Sequence, residues 1–127
     1  MILVDSDVLI ASLRGMPAAR DWLLRARQET GPLAISAMSV TEVAGGMRSP
    51  ERRQVSRLLA SMRTLPVTER IAWRAAEFMR LYRRSHQGIG LGDYLIAATA
   101  DTGGLDLATL NVRHFPMIED LEPPFRL

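Results

Sequence analysis

Short apolar runs that alternate with longer helical patterns constrain this chain more than any other feature. Ile2-Leu3-Val4, Leu33 to Ser36 and Leu105 to Thr109 read as strands. The stretches between them are too long for hairpin turns and carry helix signals, so the strands must pair in parallel through helical crossovers. The expected architecture is a three-layer α/β/α sandwich with helices on both faces of a small, mainly parallel central sheet. At 127 residues, with no repeat, linker or low-complexity segment, the chain suits one domain over residues 1–127.

The helix signals are local. Asp7 caps a helix that runs to about Arg14, where Gly15 stops it. Pro17 opens a second, which runs to Glu29 before Gly31-Pro32 breaks the chain. Ser39-Val40-Thr41-Glu42 fits a capping box and predicts a helix from Val40 to Met47. Ser49-Pro50-Glu51 starts another that ends near Arg63, followed by a short segment from Thr64 to Val67. Thr68 caps the longest helix, to about Arg84, with Ile71, Ala75, Phe78, Met79 and Tyr82 on its core face. His86 to Gly92 is a loop, and Asp93 to Thr102 a buried helix ended by Gly103-Gly104.

Composition excludes several classes. Hydrophobic residues at 47% and charged residues at 24% argue against disorder. The absence of Cys removes disulfides, thiolate zinc sites and cysteine nucleophiles. Asp5 and Asp7 interrupt the apolar opening, no run reaches the roughly 18 residues of a membrane span, and a cytoplasmic protein without membrane association is expected. All 16 basic residues are Arg, the better partner for bidentate phosphate contact, although a simple compositional bias reads the same way.

In parallel sheets, sites form beyond the carboxyl ends of the strands. That edge would gather Asp5, the Ser36 to Glu42 segment and Asn111. Asp5 ends an apolar strand and needs a helix N-terminus, a hydrogen-bond network or a metal ion. Asp93 reads as an N-cap and Glu42 as the third residue of a capping box. Ser6 either orients Asp5 or caps the first helix. Three carboxylates at one sheet edge repel without a cation, and all-oxygen ligands select Mg²⁺ or Mn²⁺ over Zn²⁺. Such a site points to phosphate chemistry through a metal-activated water. Asp101 and Asp120 read as surface residues, and Asp106 lies at the amino end of its strand.

With these residues in place the chain resembles the PIN-domain nucleases, specifically the VapC-type toxin ribonucleases. The resemblance rests on ILVDSDVLI, SVTEVAGGMRS, LGDYLIAATA and ATLNVRHFPMI, and spans essentially the whole chain. It implies a PIN-like sandwich and an endoribonuclease dependent on Mg²⁺ or Mn²⁺, with Asp5, Glu42 and Asp93 as its acidic cluster. Asp5 and Asp93 would be direct metal ligands, and Glu42 a ligand directly or through water. Many relatives carry a fourth acid where this chain has His114, which puts a second metal in doubt. Thr109 and Asn111 would support the cluster by hydrogen bonds, and His114 would contact substrate or cap a short helix. The family also implies a VapB-like antitoxin and a toxin homodimer; Met47, Leu58 and Met62 are apolar residues that could serve such surfaces or the core.

Two rival readings remain. Asp5-Ser6-Asp7 resembles the nucleophile motif of haloacid-dehalogenase-like phosphatases, but Val8-Leu9 replaces the expected Thr and the chain has no Lys to steady a phosphoryl group. The second rival is a catalytically impaired PIN fold that only grips RNA or a protein.

Overall fold

The computed structural model describes residues 1–126. Four strands, β1 (Ile2–Val4), β2 (Ala34–Ser36), β3 (Arg63–Leu65) and β4 (Asp106–Ala108), form one sheet in the order β3-β2-β1-β4, with every pairing parallel. Six α-helices accompany them: α1 (Ser6–Leu13), α2 (Pro17–Thr30), α3 (Ala37–Gly45), α4 (Arg52–Ala60), α5 (Glu69–Tyr82) and α6 (Leu91–Gly103). Short 3-10 turns precede α4 at Ser49–Glu51 and follow β4 at Val112–His114.

The pleat of the sheet explains the three layers. Successive strand residues face opposite sides. Leu3 and Ala34 pack with Ile71, Ala75 and Phe78 of α5 and with Tyr94 and Ala97 of α6. Their neighbours Val4 and Ile35 join Val8, Leu9, Leu23, Ala26, Val43 and Val55 on the other face, from α1, α2, α3 and α4. Met47, Leu58 and Met62 are partly buried against this second cluster. Near the end of the chain, Phe125 lies against Trp22 of α2, with ring centroids 6.5 Å apart.

Three starts differ from the sequence expectation. Asp7 does not cap α1; Asp5 does, accepting the Ser6 N–H at 2.8 Å. The box at Ser39 is not used, because α3 begins one turn earlier under Ser36, whose hydroxyl accepts the Met38 N–H, and Ser39 is buried inside the helix. Asp93 is not an N-cap but the third residue of α6, and its carboxylate accepts the Gly90 N–H. The Thr64 to Val67 segment is a sheet edge: β3 pairs with β2, although Arg63 and Thr64 are exposed.

Candidate active site

The carboxyl ends of β1 and β4 place Asp5 and Thr109 side by side. Asp5 N–H donates to the Ala108 carbonyl at 2.9 Å, so the first strand ends in register with the last. The Asp5 side chain is buried, one oxygen taking the Ser6 N–H and the other the Thr109 hydroxyl at 2.8 Å. Burial, reinforced by the charge of Asp7, pushes its carboxyl up to about 7 against the help of those two hydrogen bonds, and the charge of Asp93 adds to the rise. Two donors do not neutralise this group.

Asp7, read from the sequence as a simple cap, is part of the same network. Its Oδ2 accepts the Leu110 N–H at 3.0 Å and lies 3.3 Å from the Thr109 hydroxyl, while Oδ1 is buried with no partner among the described residues. Burial raises its pKa, with a smaller contribution from Asp93. The signal that could have found it was present: at position i+2 from a strand-ending Asp, an acid on the first turn faces the same edge as the strand end.

Glu42 comes to the edge from the middle of α3. It is exposed, and one carboxylate oxygen accepts the Ser6 hydroxyl at 2.7 Å. With Ser36 as the cap, the capping-box explanation of Glu42 falls away. Ser6 therefore joins Asp5, by its N–H, to Glu42, by its hydroxyl.

Asp93 arrives on the first turn of α6, on the same edge. Gly92 beside it allows α6 to sit against α3, since a Cβ there would lie 3.0 Å from Met38 Sδ. The Oδ2 atom of Asp93 takes the Gly90 N–H and lies 3.0 Å from His114 Nδ1. The same ring nitrogen is 3.0 Å from the Asn111 side-chain amide. One nitrogen cannot donate to Asp93 and accept from Asn111 at once; donation to the carboxylate is the charge-assisted choice, which turns the Asn111 amide oxygen to the ring. His114 thus neither caps the short helix nor stands free. Asn111 N–H donates to the Thr109 hydroxyl at 3.1 Å, so Thr109 passes order from the turn to Asp5.

Asp5, Ser6, Glu42, Asp93, Thr109, Asn111 and His114 therefore lie in one hydrogen-bonded region, in two branches. Ser6 ties Asp5 to Glu42, and Thr109, Asn111 and His114 tie Asp5 to Asp93. Asp106 stands at the opposite end of β4, and Asp101 is exposed in a pair with Arg74. Among the described residues no three acidic or histidine side chains are gathered into a ready-made metal cage. The donor chemistry nevertheless fits a hard divalent cation: the ligand atoms are carboxylate oxygens, Asp5 is short of counter-charge, and Asp7 Oδ1 has no donor among the described residues.

A groove of mixed character opens at Glu42, which forms part of its wall. Ile10, Leu13, Val43, Met47 and Val55 line its roughly 130 Å³ together with the charged Arg14 and Glu51. No helix among the described residues is long and apolar enough to cross a membrane.

Comparison with known proteins bears on the family and the fold. The PIN domain model matches residues 2–119. Ribonuclease VapC10 of Mycobacterium tuberculosis is 70% identical over 125 residues, covering 98% of this chain and 93% of that protein. Ribonuclease VapC19 of the same organism is 40% identical, with 98% and 100% covered. Among solved structures, a toxin-antitoxin complex from Klebsiella pneumoniae superposes with a TM-score of 0.80 at 26% identity, with 100% of both chains covered.

Proposed function

Since the chain belongs to the PIN domain family, we propose that it is a VapC-type toxin that cleaves RNA as a metal-dependent endoribonuclease. Asp5, Glu42 and Asp93 form its acidic cluster and hold Mg²⁺ or Mn²⁺. The observation that carries this reading is the buried Asp5 carboxyl held beside two further acids, raised to about 7 by burial and by their charge, with no Arg paired to any of the three among the described residues and only His114 touching Asp93. The relatives named ribonucleases support the substrate class, and the Klebsiella complex supports a VapB-like antitoxin as partner. A homodimer working in the cytoplasm, with residues 1–127 as a single domain, completes the proposal.

Asp5, Glu42 and Asp93 would hold the divalent ion, and when bound it would supply an activated water and counter-charge for phosphodiester hydrolysis. The chain's own residues prepare for it. Asp5 is held through both oxygens, by the Ser6 N–H and the Thr109 hydroxyl, so its orientation is set before any ligand arrives. Gly90 and His114 both engage Oδ2 of Asp93, so Oδ1 is the oxygen left for a ligand. The Ser6 hydroxyl keeps Glu42 turned toward Asp5, where it can accept a proton from water or coordinate through one. The carboxylates that would hold the ion are not closed into a cage among the described residues, and a partly hydrated cation such as Mg²⁺ would suit such a site.

The test is incubation of antitoxin-free chain with total cellular RNA plus Mg²⁺ or Mn²⁺, with EDTA and Asp93→Asn controls, and sequencing of the new ends. Discrete cuts that both controls abolish are expected. Folded protein that makes no cut in either metal would sink the proposal and leave a PIN fold that only binds.

A further inference from the structure

The acidic edge cannot by itself hold a polyanion, so the cations beside it matter. Arg48 is paired with Glu51, and Arg74 with Glu77 and Asp101. Arg83 and Arg84, exposed just beyond α5, have no carboxylate within ion-pair distance among the described residues. Their position follows from the packing of α5 on α6. The Arg74 to Asp101 bond joins the first half of α5 to the last part of α6, so the two helices are antiparallel. The end of α5 therefore lies beside the start of α6, where Asp93 sits. Burial raises the pKa of Tyr94 at this junction, the charge of Asp93 adds to the rise and that of Arg83 opposes it.

An aromatic group is fixed in the same place. His86 N–H donates to the Tyr82 carbonyl at 2.8 Å, and its ring stands edge-on to the Tyr82 ring with centroids 5.5 Å apart. The Ser85 hydroxyl lies 2.8 Å from His86 Nδ1. An exposed imidazole is thus held by a backbone bond, a ring contact and a hydroxyl. Cations at a helix C-terminus also offset the helix dipole, but that gives no reason for a ring locked among them.

We propose that Arg83, Arg84 and His86 form the subsite through which RNA is gripped next to the carboxylates, the guanidinium groups on successive phosphates and the imidazole face under an unstacked base. Guanidinium groups suit phosphate oxygens, and single-stranded RNA is recognised by stacking its bases on rings such as His. This rests on the ribonuclease reading above and adds to it the residues that hold the strand.

The experiment is fluorescence anisotropy with a 2′-O-methyl RNA oligonucleotide in EDTA, at several salt concentrations, alongside cleavage of unmodified RNA in Mn²⁺. The Arg83→Gln/Arg84→Gln variant is expected to bind at least tenfold more weakly. Its log affinity should fall less steeply with log salt, by about 1.4, the loss of two single-strand phosphate contacts. His86→Ala should lose at least about fivefold in affinity with the salt slope unchanged. Arg70→Gln, exposed at the other end of α5, serves as the control and should match wild type. Wild-type affinity and slope in the double variant would overturn the proposal while cleavage by the parent left the ribonuclease reading standing. Loss of binding to a polyglutamate peptide instead would reassign the patch to a protein. A parent that binds the RNA through these residues yet cuts nothing would fail the ribonuclease reading alone.

Discussion

Asp5 carries a cost that depends on pH. Its folded pKa of about 7 lies above the ordinary 3.8, so the folded state holds a proton that the unfolded state has released between those values. Stability then falls as pH rises through that window, by up to about 1.4 kcal/mol for each pH unit crossed. The metal-free chain should melt at a lower temperature at pH 8 than at pH 5, and Asp5→Asn should remove most of that difference while abolishing cleavage. Thermal melts of both proteins across pH 4 to 8 in EDTA check it; parallel profiles would refute the assignment. Thr109 is the other pivot, donating to Asp5 and accepting from Asn111. Thr109→Val keeps the shape and removes both bonds. It should cost about 1–3 kcal/mol in urea unfolding and lower cleavage at least tenfold, because Asp5 is left with one donor.

At the scale of elements, the helix starts were where the sequence misled. Ser36 and Ser39 both precede helical patterns, and the Glu42 spacing favoured Ser39; the deciding contact is that β2 must end at Ser36 to stay in register with β3. Ser36→Ala should therefore destabilise by about 1 kcal/mol through loss of the cap. Ser39→Ala should be neutral or stabilising, because its buried hydroxyl has no partner among the described residues. Equal losses for the two variants in denaturant titrations would contradict this capping. β3 was illegible as a strand because two of its three residues face solvent, leaving no apolar run; only pairing with β2 reveals it. The buried strands β1 and β2 announced themselves. In the site, the three carboxylates and their parallel-sheet edge were readable from position alone. The partners of Asp7 and the contact of His114 with Asp93 were not, since residues 5, 7, 93, 109 and 114 meet only through the fold.

For the whole molecule, a divalent cation should act as a stabilising ligand wherever protons do not compete for Asp5. Added Mg²⁺ or Mn²⁺ should raise the melting temperature at pH 8, where Asp5 is ionised, and much less at pH 5. Differential scanning fluorimetry over metal concentration reads this directly; equal shifts at both pH values would mean that the ion binds elsewhere. The order of the sheet has a further consequence. β1 lies inside the sheet, and its partner β4 is built from residues 106–108, about a hundred residues further along the chain. While the chain is still emerging from the ribosome, Asp5 has neither Thr109 beside it nor Asp93 across from it. A chain cut short before β4 lacks the contact that orients Asp5, so the acidic edge is complete only once residues 106–109 have joined the sheet.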